Sequence, residues 1–462
     1  MGKKEIMRLG ISLLFCSLSG LLFASCNSNK QVKEGEKADV RFLTETSLPD
    51  EGASVPTIEN KEHKQLPESD ARFASSGNEL GIKLFELLCK ERGNDRNTLL
   101  SPISIETVLG MNALALSDEA FAEYRTIMGL PESTKAEEVA GYLKRINAVL
   151  ATADKNCRYF PANSFWVDTH CADKLVPTYP QNLYSYFDAP TAVLDLSKAS
   201  SIRYLNKWIE RKTYGRIQNM IPDFVIAKPP YSIALNTFFF TAPWAWHSEK
   251  DFTKKESFRA GNGQEKVVDM MHASDATLLR YASNEHYECV AVHLAEDMDI
   301  MPYEMLLLLP RDREAPLASL PLTTAEIDAL ATASQKEPIA LSLPRLSSGE
   351  ETLDLTNAMG IIGFQKSLGS PAIGLERMFD RNFLLDNQSD IKQTLLHQAT
   401  LKWDEKSVEA SAATALITLY DGMNPSNPIQ YREVKFNRPF FAVLRHAESG
   451  KILILAAINK VE

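Results

Sequence analysis

Residues that could carry enzyme chemistry are present, but none stands in a catalytic pattern. The sequence has eight histidines, yet it contains no HExxH pair, no GxSxG elbow, no P-loop and no GxGxxG turn. His170 and Cys171 are adjacent, which does not give the side-chain geometry that a thiol nucleophile and its base require. We therefore predict that the chain is not an enzyme and needs no cofactor or metal. A hydrolase with an unfamiliar site is the remaining enzymatic alternative, and turnover without self-cleavage would identify it.

Four cysteines lie beyond the first 70 residues, at Cys89, Cys157, Cys171 and Cys289. Their spacing does not suggest a zinc site, because no CxxC pair occurs. An exported protein could pair some of them, and Cys157 and Cys171 are the closest in sequence. The other possibility, which we favour, is that several are buried free thiols.

The stretch KSVEASAATALITLYDGMNPSNP, residues 406–428, predicts a different kind of chemistry. From Val408 to Thr418 it carries a single charge, at Glu409, and a tip rich in Gly, Asn and Pro follows. Alanine and leucine favour a helix when the stretch is considered alone. In a strand, however, one face would carry only uncharged residues, while Glu409 would point to the other face. That face consists of Val408, Ala410, Ala412, Thr414, Leu416 and Thr418.

Composition places these residues in an ordinary globular protein. The 462 residues are 44% apolar and 24% charged, enough for a sizeable core in one large domain or in two to three average ones. The formal net charge of -10 argues against a general nucleic-acid binder, which would present a basic face.

The N-terminus has the pattern of an export signal. A basic start is followed by the apolar run ISLLFCSLSGLLFASC, which ends in small residues. We predict a lipoprotein signal peptide at residues 1–25 and lipid attachment at Cys26. The alternatives are a signal peptide cleaved near Ala24 or an uncleaved anchor. The predicted location is exported and membrane-anchored, on the periplasmic or cell-surface side.

Residues 26–70 are polar, with scattered Pro and Gly and no apolar period, and we interpret them as a flexible tether. Residues 71–462 form the predicted folded domain. Helical patterns such as ELGIKLFELLCKERG come first, and strand patterns such as YSIALNTFFFTA and KILILAAINK dominate later. This order indicates an α+β fold rather than alternating βαβ units.

Several of these segments together resemble the serpin family, in its order and spacing. They are SPISI at residues 101–105, LNKWIERKTYGRIQNMIP, LNTFFFTAPW, VVDMM, LSLPRL, FNRPFF and ILILAAINKV. In the long helical segment, the matching positions are Asn206, Trp208, Thr213, Gly215 and Ile217. The resemblance implies a single serpin domain with about nine helices, three β-sheets and an exposed reactive-centre loop at about residues 406–432.

The resemblance identifies the alanine-rich stretch as the hinge of that loop. The family pattern is Glu-Glu-Gly-Thr-Glu followed by four small residues. Here Ser407 replaces the glycine and Val408 replaces the threonine. The remaining hinge residues agree with the pattern, namely Glu405, Glu409, Ala410, Ser411, Ala412 and Ala413.

The family's count from Glu405 places the scissile bond at Asp421–Gly422, with Tyr420–Asp421 as the alternative. The segment after it is longer than the family's usual one, so several bonds could be presented to a protease.

Resemblance also assigns residues that control opening of the main sheet. Ser101 and Ser104 would lie beneath it, and Asn236 and His397 would form a polar pair between the central strands. Trp244 would lie at the top of the sheet. Arg345 and Glu405 would form an ion pair, although Arg345 could equally be an ordinary surface residue.

The implied function is suicide-substrate inhibition of serine, or also cysteine, proteases, with the loop inserting into the main sheet after cleavage. The alternative is a non-inhibitory serpin that binds or carries a ligand. The expected partners are a target protease and, through the lipid, a membrane; we expect a monomer that binds no nucleic acid.

Overall fold

Helices form where apolar residues recur at helical spacing between capping residues. A computed structural model describes residues 37–46, 50, 53, 64–152, 157–222, 230–246, 248, 250–272, 277–294, 302–349, 351–366, 368, 374–387, 393–408 and 431–462. Numbered in chain order, the α-helices in these residues are α1 Ala71–Arg92, α2 Pro102–Ala113, α3 Asp118–Ile127, α4 Ala136–Thr152, α5 Thr178–Phe187, α6 Ala199–Lys212, α7 Thr324–Ala333, α8 Thr356–Ile362 and α9 Arg381–Asp386.

The helices α1 and α2 begin or end at the capping residues that the sequence predicts. The Ser101 side chain accepts a hydrogen bond from the Ser104 backbone at the start of α2, and Pro102 is the first helical residue. Helix α1 ends at Gly93, whose φ of 64° favours glycine. Short 3₁₀ turns lie at Glu68–Asp70, Ala172–Lys174, Lys250–Phe252 and Leu317–Ser319.

The strands of the described residues form three sheets. A seven-stranded sheet has the spatial order β1 Arg41–Phe42, β4 Thr191–Leu194, β3 Arg158–Asp168, β5 Ser232–Pro243, β16 Ser407–Val408, β15 Leu401–Trp403 and β12 Leu346–Ser348. A ten-stranded sheet has the order β2 Thr98–Leu100, β19 Ile452–Ile458, β18 Phe440–His446, β10 Tyr303–Pro310, β9 Tyr287–Leu294, β8 Thr277–Ser283, β11 Gln335–Pro344, β7 Glu265–His272 and β6 Lys254–Arg259, and β17 Arg432–Lys435 pairs parallel with β11. A small third sheet pairs β13 Leu353–Asp354 with β14 Leu396–His397.

The predicted α+β class is confirmed, with nine α-helices and three sheets in the described part of the chain. The main core lies between the two large sheets and α1 to α5, and it holds fully buried strands such as β10 and β19. A second cluster lies on the other face of the seven-stranded sheet, where α6 packs Trp208 edge-on against Trp166 of β3.

One predicted strand is interrupted. The pattern TLLHQATLKW predicts continuous extended chain, but the structure has β14 and β15 separated by residues 398–400. At this interruption the backbone of Gly349 approaches the backbone of Ala399 closely. A Cβ on Gly349 would lie 2.0 Å from the carbonyl oxygen of Ala399. Only glycine allows the backbones to approach this closely.

The structure also corrects the predicted tether. Residues 37–46 lie within the range 26–70, yet Arg41 and Phe42 form β1, which pairs antiparallel with β4 at the sheet edge. Ala38, Val40 and Phe42 pack against the second cluster, and the Phe42 ring meets Trp166 at 6.0 Å. The apolar residues of ADVRF alternate, as in a half-buried strand, but the segment is short and its flanks are polar.

We expect Phe42→Ala to lower the free energy of unfolding by about 1–2 kcal/mol, since a half-buried aromatic side chain is lost from a packed edge. Urea unfolding followed by tryptophan fluorescence measures the change. Arg41→Ala is the matched control, because Arg41 is exposed in the same strand. Equal effects of the two substitutions would show that the Phe42 contact does not stabilise the fold.

The four predicted cysteines of the domain are buried, and all four are free thiols. The structure therefore supports the free-thiol alternative over a Cys157–Cys171 pair. Among the described residues, no helix is both long and apolar enough to span a bilayer. The predicted lipid attachment at Cys26 lies outside the described residues.

Candidate functional site at the hinge

The central strand β5 is paired unequally along its two edges. One edge runs antiparallel to β3 for ten residues, from Ser232 to Thr241. The other edge is paired, within the described residues, only at its end, where Ala242 and Pro243 meet β16. In the described part of the chain, the middle of the sheet therefore contains a strand whose second edge has little strand pairing.

The hinge residues Ser407 and Val408 occupy the top of this gap. Ser407 lies opposite Pro243 and Val408 opposite Ala242, while Val408 also pairs with Trp403 of β15. Val408 is 1% exposed and belongs to the main core. The chain therefore already enters the sheet as an additional strand at the point where the predicted loop begins.

Trp244 fixes the turn that leads into the hinge. Its indole Nε1 donates to the carbonyl of Asp404 at 2.9 Å, and its backbone N–H donates to the carbonyl of Lys406 at 3.3 Å. Its ring packs edge-on against Trp246 and Trp403, each at 6.2 Å. Trp244 thus lies directly after the end of β5, beside the turn that leads into the hinge.

Glu405 lies in the turn, and its side chain is held by three donor atoms of two residues that are distant in the chain. The carboxylate accepts from Arg345 Nε at 2.8 Å, from the other end of that guanidinium, and from the Thr253 hydroxyl. Arg345 also lies 3.5 Å from Asp269 of β7. The predicted Arg345–Glu405 ion pair is present, whereas Thr253 and Asp269 carry no sequence signal that marks them.

The environment of Glu405 favours its charged form. Burial by itself raises the pKa of the Glu405 carboxyl, but the hydrogen bonds from Arg345 and Thr253 outweigh burial and hold the pKa below its ordinary value. Since the folded pKa is depressed, this contribution to stability is present at neutral pH and is lost as the pH falls below about 4.5 through the folded value.

A double-mutant cycle of Glu405→Gln and Arg345→Met is expected to give a coupling of about 1 kcal/mol at pH 7, modest because the Arg345 side chain is 36% exposed. The coupling should shrink as the pH falls below 4.5 and Glu405 takes up a proton. Urea unfolding of the four proteins at pH 7 and at about pH 3 measures it. A coupling that is the same at both pH values would contradict the assigned charge on Glu405.

Below the hinge, a small cavity of about 40 Å³ lies along the poorly paired part of β5. Ser101, Ser104, residues 398–401 and residues 237–240 of β5 are among its lining residues. On β5, Thr237 Oγ1 beside the cavity and Asn236 Oδ1 one residue before it are both buried with no hydrogen-bond partner in the described part of the chain. Unmet polar groups of this kind destabilise the state that holds them.

The prediction that Asn236 and His397 pair with each other is wrong, because each residue bonds to a different partner. Asn236 Nδ2 donates to Asn163 Oδ1 on β3 at 2.7 Å, and the Ser101 backbone N–H donates to His397 Nε2 at 3.1 Å. Each residue thus ties its own side of the gap to a neighbour, and no bond between the two is among the described contacts. Asn163 was missed, although a polar residue inside the apolar strand ANSFWVD was a usable signal.

His397 is held in its neutral form. Burial lowers the pKa of the His397 imidazole to about 4. The Ser101 bond agrees with this, because Nε2 can accept a hydrogen bond only when it carries no proton. His397 is thus a buried acceptor under the sheet at neutral pH.

The other predicted loop residues lie outside the described residues. They are Glu409, Ala410, Ser411, Ala412, Ala413, Tyr420, Asp421 and Gly422.

His170 and Cys171, the adjacent pair considered for catalysis, do not form a nucleophile with its base. His170 Nδ1 lies 2.6 Å from Asp168, but Cys171 is buried and its thiol bonds to the carbonyl of Tyr231 at 3.2 Å. Burial raises the pKa of the Cys171 thiol to about 12, so it holds its proton at neutral pH. The described residues also contain no cluster of side chains suited to a metal ion.

Comparison with known proteins agrees with this geometry. Residues 75–461 match the family described as serpin (serine protease inhibitor). Human neuroserpin is 25% identical over 398 residues, covering 83% of this chain and 90% of its own length. An uncharacterized serpin-like protein of Methanosarcina mazei is 23% identical over 463 residues and covers 98% of each chain.

Solved structures show the same fold. The native state of a thermophilic serpin, tengpin, superposes with a TM-score of 0.71 at 19% identity, over 88% of this chain and 98% of that one. Thyroxine-binding globulin in complex with thyroxine gives a TM-score of 0.71 at 18% identity, over 84% and 99%. Because the family match covers nearly all of the folded body and the sheets, hinge and helices agree with it, the chain belongs to the serpin family.

Proposed function

We propose that this serpin traps serine proteases, and also cysteine proteases, as a suicide substrate. A protease cuts the loop at about residues 406–432, and the N-terminal half of the loop then inserts between β5 and β15. The observation that carries the proposal is the hinge itself, where Ser407 pairs with β5 and Val408 pairs with both β5 and β15 at the open end of the gap.

The register at the hinge supports insertion of a whole strand. β16 and β5 are antiparallel, with Ser407 opposite Pro243 and Val408 opposite Ala242. Continued at the same register, Ala410 would lie opposite Phe240, Ala412 opposite Phe238, and Thr418 opposite Ser232, the first residue of β5. The uncharged face of the loop would then meet the core side of β5, where Phe240 packs.

Insertion has a large driving force on this scheme. About ten new backbone hydrogen bonds at about 1 kcal/mol each give a gain on the order of 10 kcal/mol. The inserted strand would also fill the small cavity that Thr237 lines. Loop insertion that releases strain in this way is a known class of switch.

The gain would be used to disable the protease. A strand of about fifteen residues spans about 50 Å, so a protease acylated at the cut would be carried that far along the sheet. Its active site would deform against the body before the acyl bond is hydrolysed. We assign the cut to Asp421–Gly422, with Tyr420–Asp421 as the alternative.

The non-inhibitory alternative rests on the hinge departures Ser407 and Val408. The packing of Val408 at 1% exposure counts against it, since the substituted residue already fits the inserted position. A serpin that binds a ligand without trapping a protease would nevertheless keep the same fold, so the distinction requires a functional measurement.

The test mixes the full chain with elastase-, chymotrypsin-, trypsin-, caspase- and papain-type proteases and resolves the products on denaturing gels. We expect a complex that survives detergent and heat, with release of a C-terminal fragment that begins at Gly422 or Asp421 by mass spectrometry. Cleavage in the loop without a stable complex for every protease would favour the non-inhibitory alternative.

We also propose that lipid on Cys26 anchors the protein on the exported side of a membrane. Metabolic labelling with a fatty acid should mark the full chain, and Cys26→Ala should abolish the label and release the protein into the soluble fraction. Labelling that persists in Cys26→Ala would place the anchor elsewhere.

A further inference from the structure

Helix α6 presents a basic face to solvent. Its buried side lies in the second cluster and consists of Ile202, Leu205, Trp208 and Ile209. Arg203, Lys207 and Arg211 recur every four residues, so they share the opposite side of the helix. Arg203 and Lys207 are exposed, and Arg211 is half-buried. We call these three residues the α6 basic face.

The charge of this part of the chain is opposite to that of the whole protein. Residues 195–218 contain six basic and two acidic side chains, whereas the formal net charge of the chain is -10. The two carboxylates lie close to lysines, Asp195 at 3.4 Å from Lys198 and Glu210 at 3.2 Å from Lys207. The segment therefore keeps four positive charges in excess, and the α6 basic face carries part of that excess.

The N-terminal segment 37–46 lies beside α6 on the same face of the seven-stranded sheet. Its apolar side chains, from Ala38 to Phe42, pack against the second cluster, which also holds the buried side of α6. The rings of Phe42 and of Tyr204 on α6 both meet Trp166 edge-on, at 6.0 and 5.9 Å. The N-terminal entry to the folded body is therefore next to this helix.

Few residues separate this entry from the proposed anchor. Eleven residue steps join Cys26 to Lys37, and a chain of that length spans at most about 40 Å in any conformation. A lipid on Cys26 would therefore keep the entry beside α6 within that reach of the membrane surface. The exposed side of the segment 37–46 does not cancel the charge of α6, because its charged side chains are two basic and two acidic ones, namely Lys37, Arg41, Asp39 and Glu45.

We propose that the α6 basic face binds the headgroups of an anionic phospholipid membrane. The distance in this proposal rests on the proposed lipid at Cys26, whereas the charge does not. Basic side chains are attracted to an anionic surface within about one Debye length, which is about 10 Å at 0.1 M salt. The acidic remainder of the protein is repelled by the same surface, so the anchored protein turns its α6 basic face toward the membrane.

The test uses the full chain with Cys26→Ala, so that no lipid is attached at that position, and measures its sedimentation with vesicles. One kind of vesicle is phosphatidylcholine alone, and the other is an equal mixture of phosphatidylcholine and phosphatidylglycerol. We expect at least tenfold tighter binding to the anionic vesicles at about 0.05 M salt, and no difference at about 0.5 M salt, where the Debye length is about 4 Å. Apolar segments of the chain contact both vesicles alike, so the difference reports charge.

The double variant Arg203→Glu with Lys207→Glu should weaken binding to the anionic vesicles at least tenfold, because it reverses two exposed charges of the face. The matched control is Lys83→Glu with Lys90→Glu. It makes the same change in net charge at exposed positions of α1, whose buried side lies in the main core instead of the second cluster. The control should weaken binding less than threefold, and circular dichroism confirms that both variants are folded.

Equal binding to the two kinds of vesicle at low salt, or equal losses in the two double variants, would overturn the proposal. Tighter binding of soluble poly-glutamate than of the anionic vesicles would overturn it in favour of an acidic protein as the partner. The protein in this test carries no lipid at Cys26, so its result is independent of the fatty-acid labelling. Labelling without vesicle binding would keep the anchor and overturn only the role of α6, whereas vesicle binding without labelling would keep the role of α6 and overturn the anchor.

Discussion

Ala410→Glu is expected to abolish protease trapping, whereas Ser411→Glu, one residue further along, leaves it largely intact. At the register of the hinge, residue 410 would lie opposite Phe240 on the core side of β5, where the Phe240 ring packs 4.9 Å from Tyr303. A carboxylate there must be buried without a partner or protonated, at a cost of several kcal/mol. This cost raises the free energy of the inserted state and slows insertion. The acyl bond is then hydrolysed before insertion is complete.

Ser411 would lie opposite Phe239, on the face where Arg216 lies over the Phe239 ring at 5.7 Å. A glutamate on this face is next to a cation and outside the main core. The two variants therefore carry the same charge and the same side chain, and they differ only in the face of the strand on which it lies.

Two measurements distinguish them. The yield of detergent-stable complex should fall at least tenfold in Ala410→Glu and change less than twofold in Ser411→Glu. The melting temperature after loop cleavage should rise by on the order of 10 °C in the wild type and in Ser411→Glu, and far less in Ala410→Glu. This second measurement requires no knowledge of the target protease. Equal behaviour of the two variants would contradict the proposed strand register.

The second large effect is a loss of stability on acidification through His397. Its folded pKa is about 4 and its reference value is 6.5, so the unfolded chain takes up a proton first as the pH falls. The contribution of His397 is complete above pH 6.5 and decreases by about 2 kcal/mol at pH 5 and about 3 kcal/mol at pH 4. Protonation also removes the acceptor that Ser101 uses.

The measurement is the free energy of urea unfolding between pH 4 and pH 7 for the wild type and His397→Gln. Glutamine keeps an acceptor for the Ser101 N–H but does not titrate. Carboxylates contribute to both curves, so the difference between them isolates His397. Curves that stay parallel within about 0.5 kcal/mol would show that His397 does not control the acid response.

Much of the fold follows from local patterns in the sequence. Apolar spacing and caps such as Ser101 before Pro102 predict the helices, because their hydrogen bonds and caps join residues only a few positions apart. The strands β5 and β19 were predicted from the local runs YSIALNTFFFTA and KILILAAINK for the same reason. β1 was missed because two residues carry too little pattern.

The candidate site also combines features that follow from the local sequence with features that depend on contacts between distant segments. The uncharged face of the stretch from Val408 to Thr418 followed from the sequence alone, because alternation along a strand is a property of the chain itself, and the resemblance to serpins identified that stretch as the hinge. Only the tertiary structure decided that Val408 enters between β5 and β15, that Thr253 holds Glu405 across 152 positions, and that Asn163 rather than His397 takes the Asn236 bond. These contacts join segments distant in the chain, and no local pattern specifies which distant segment a strand edge or a buried carboxylate will meet.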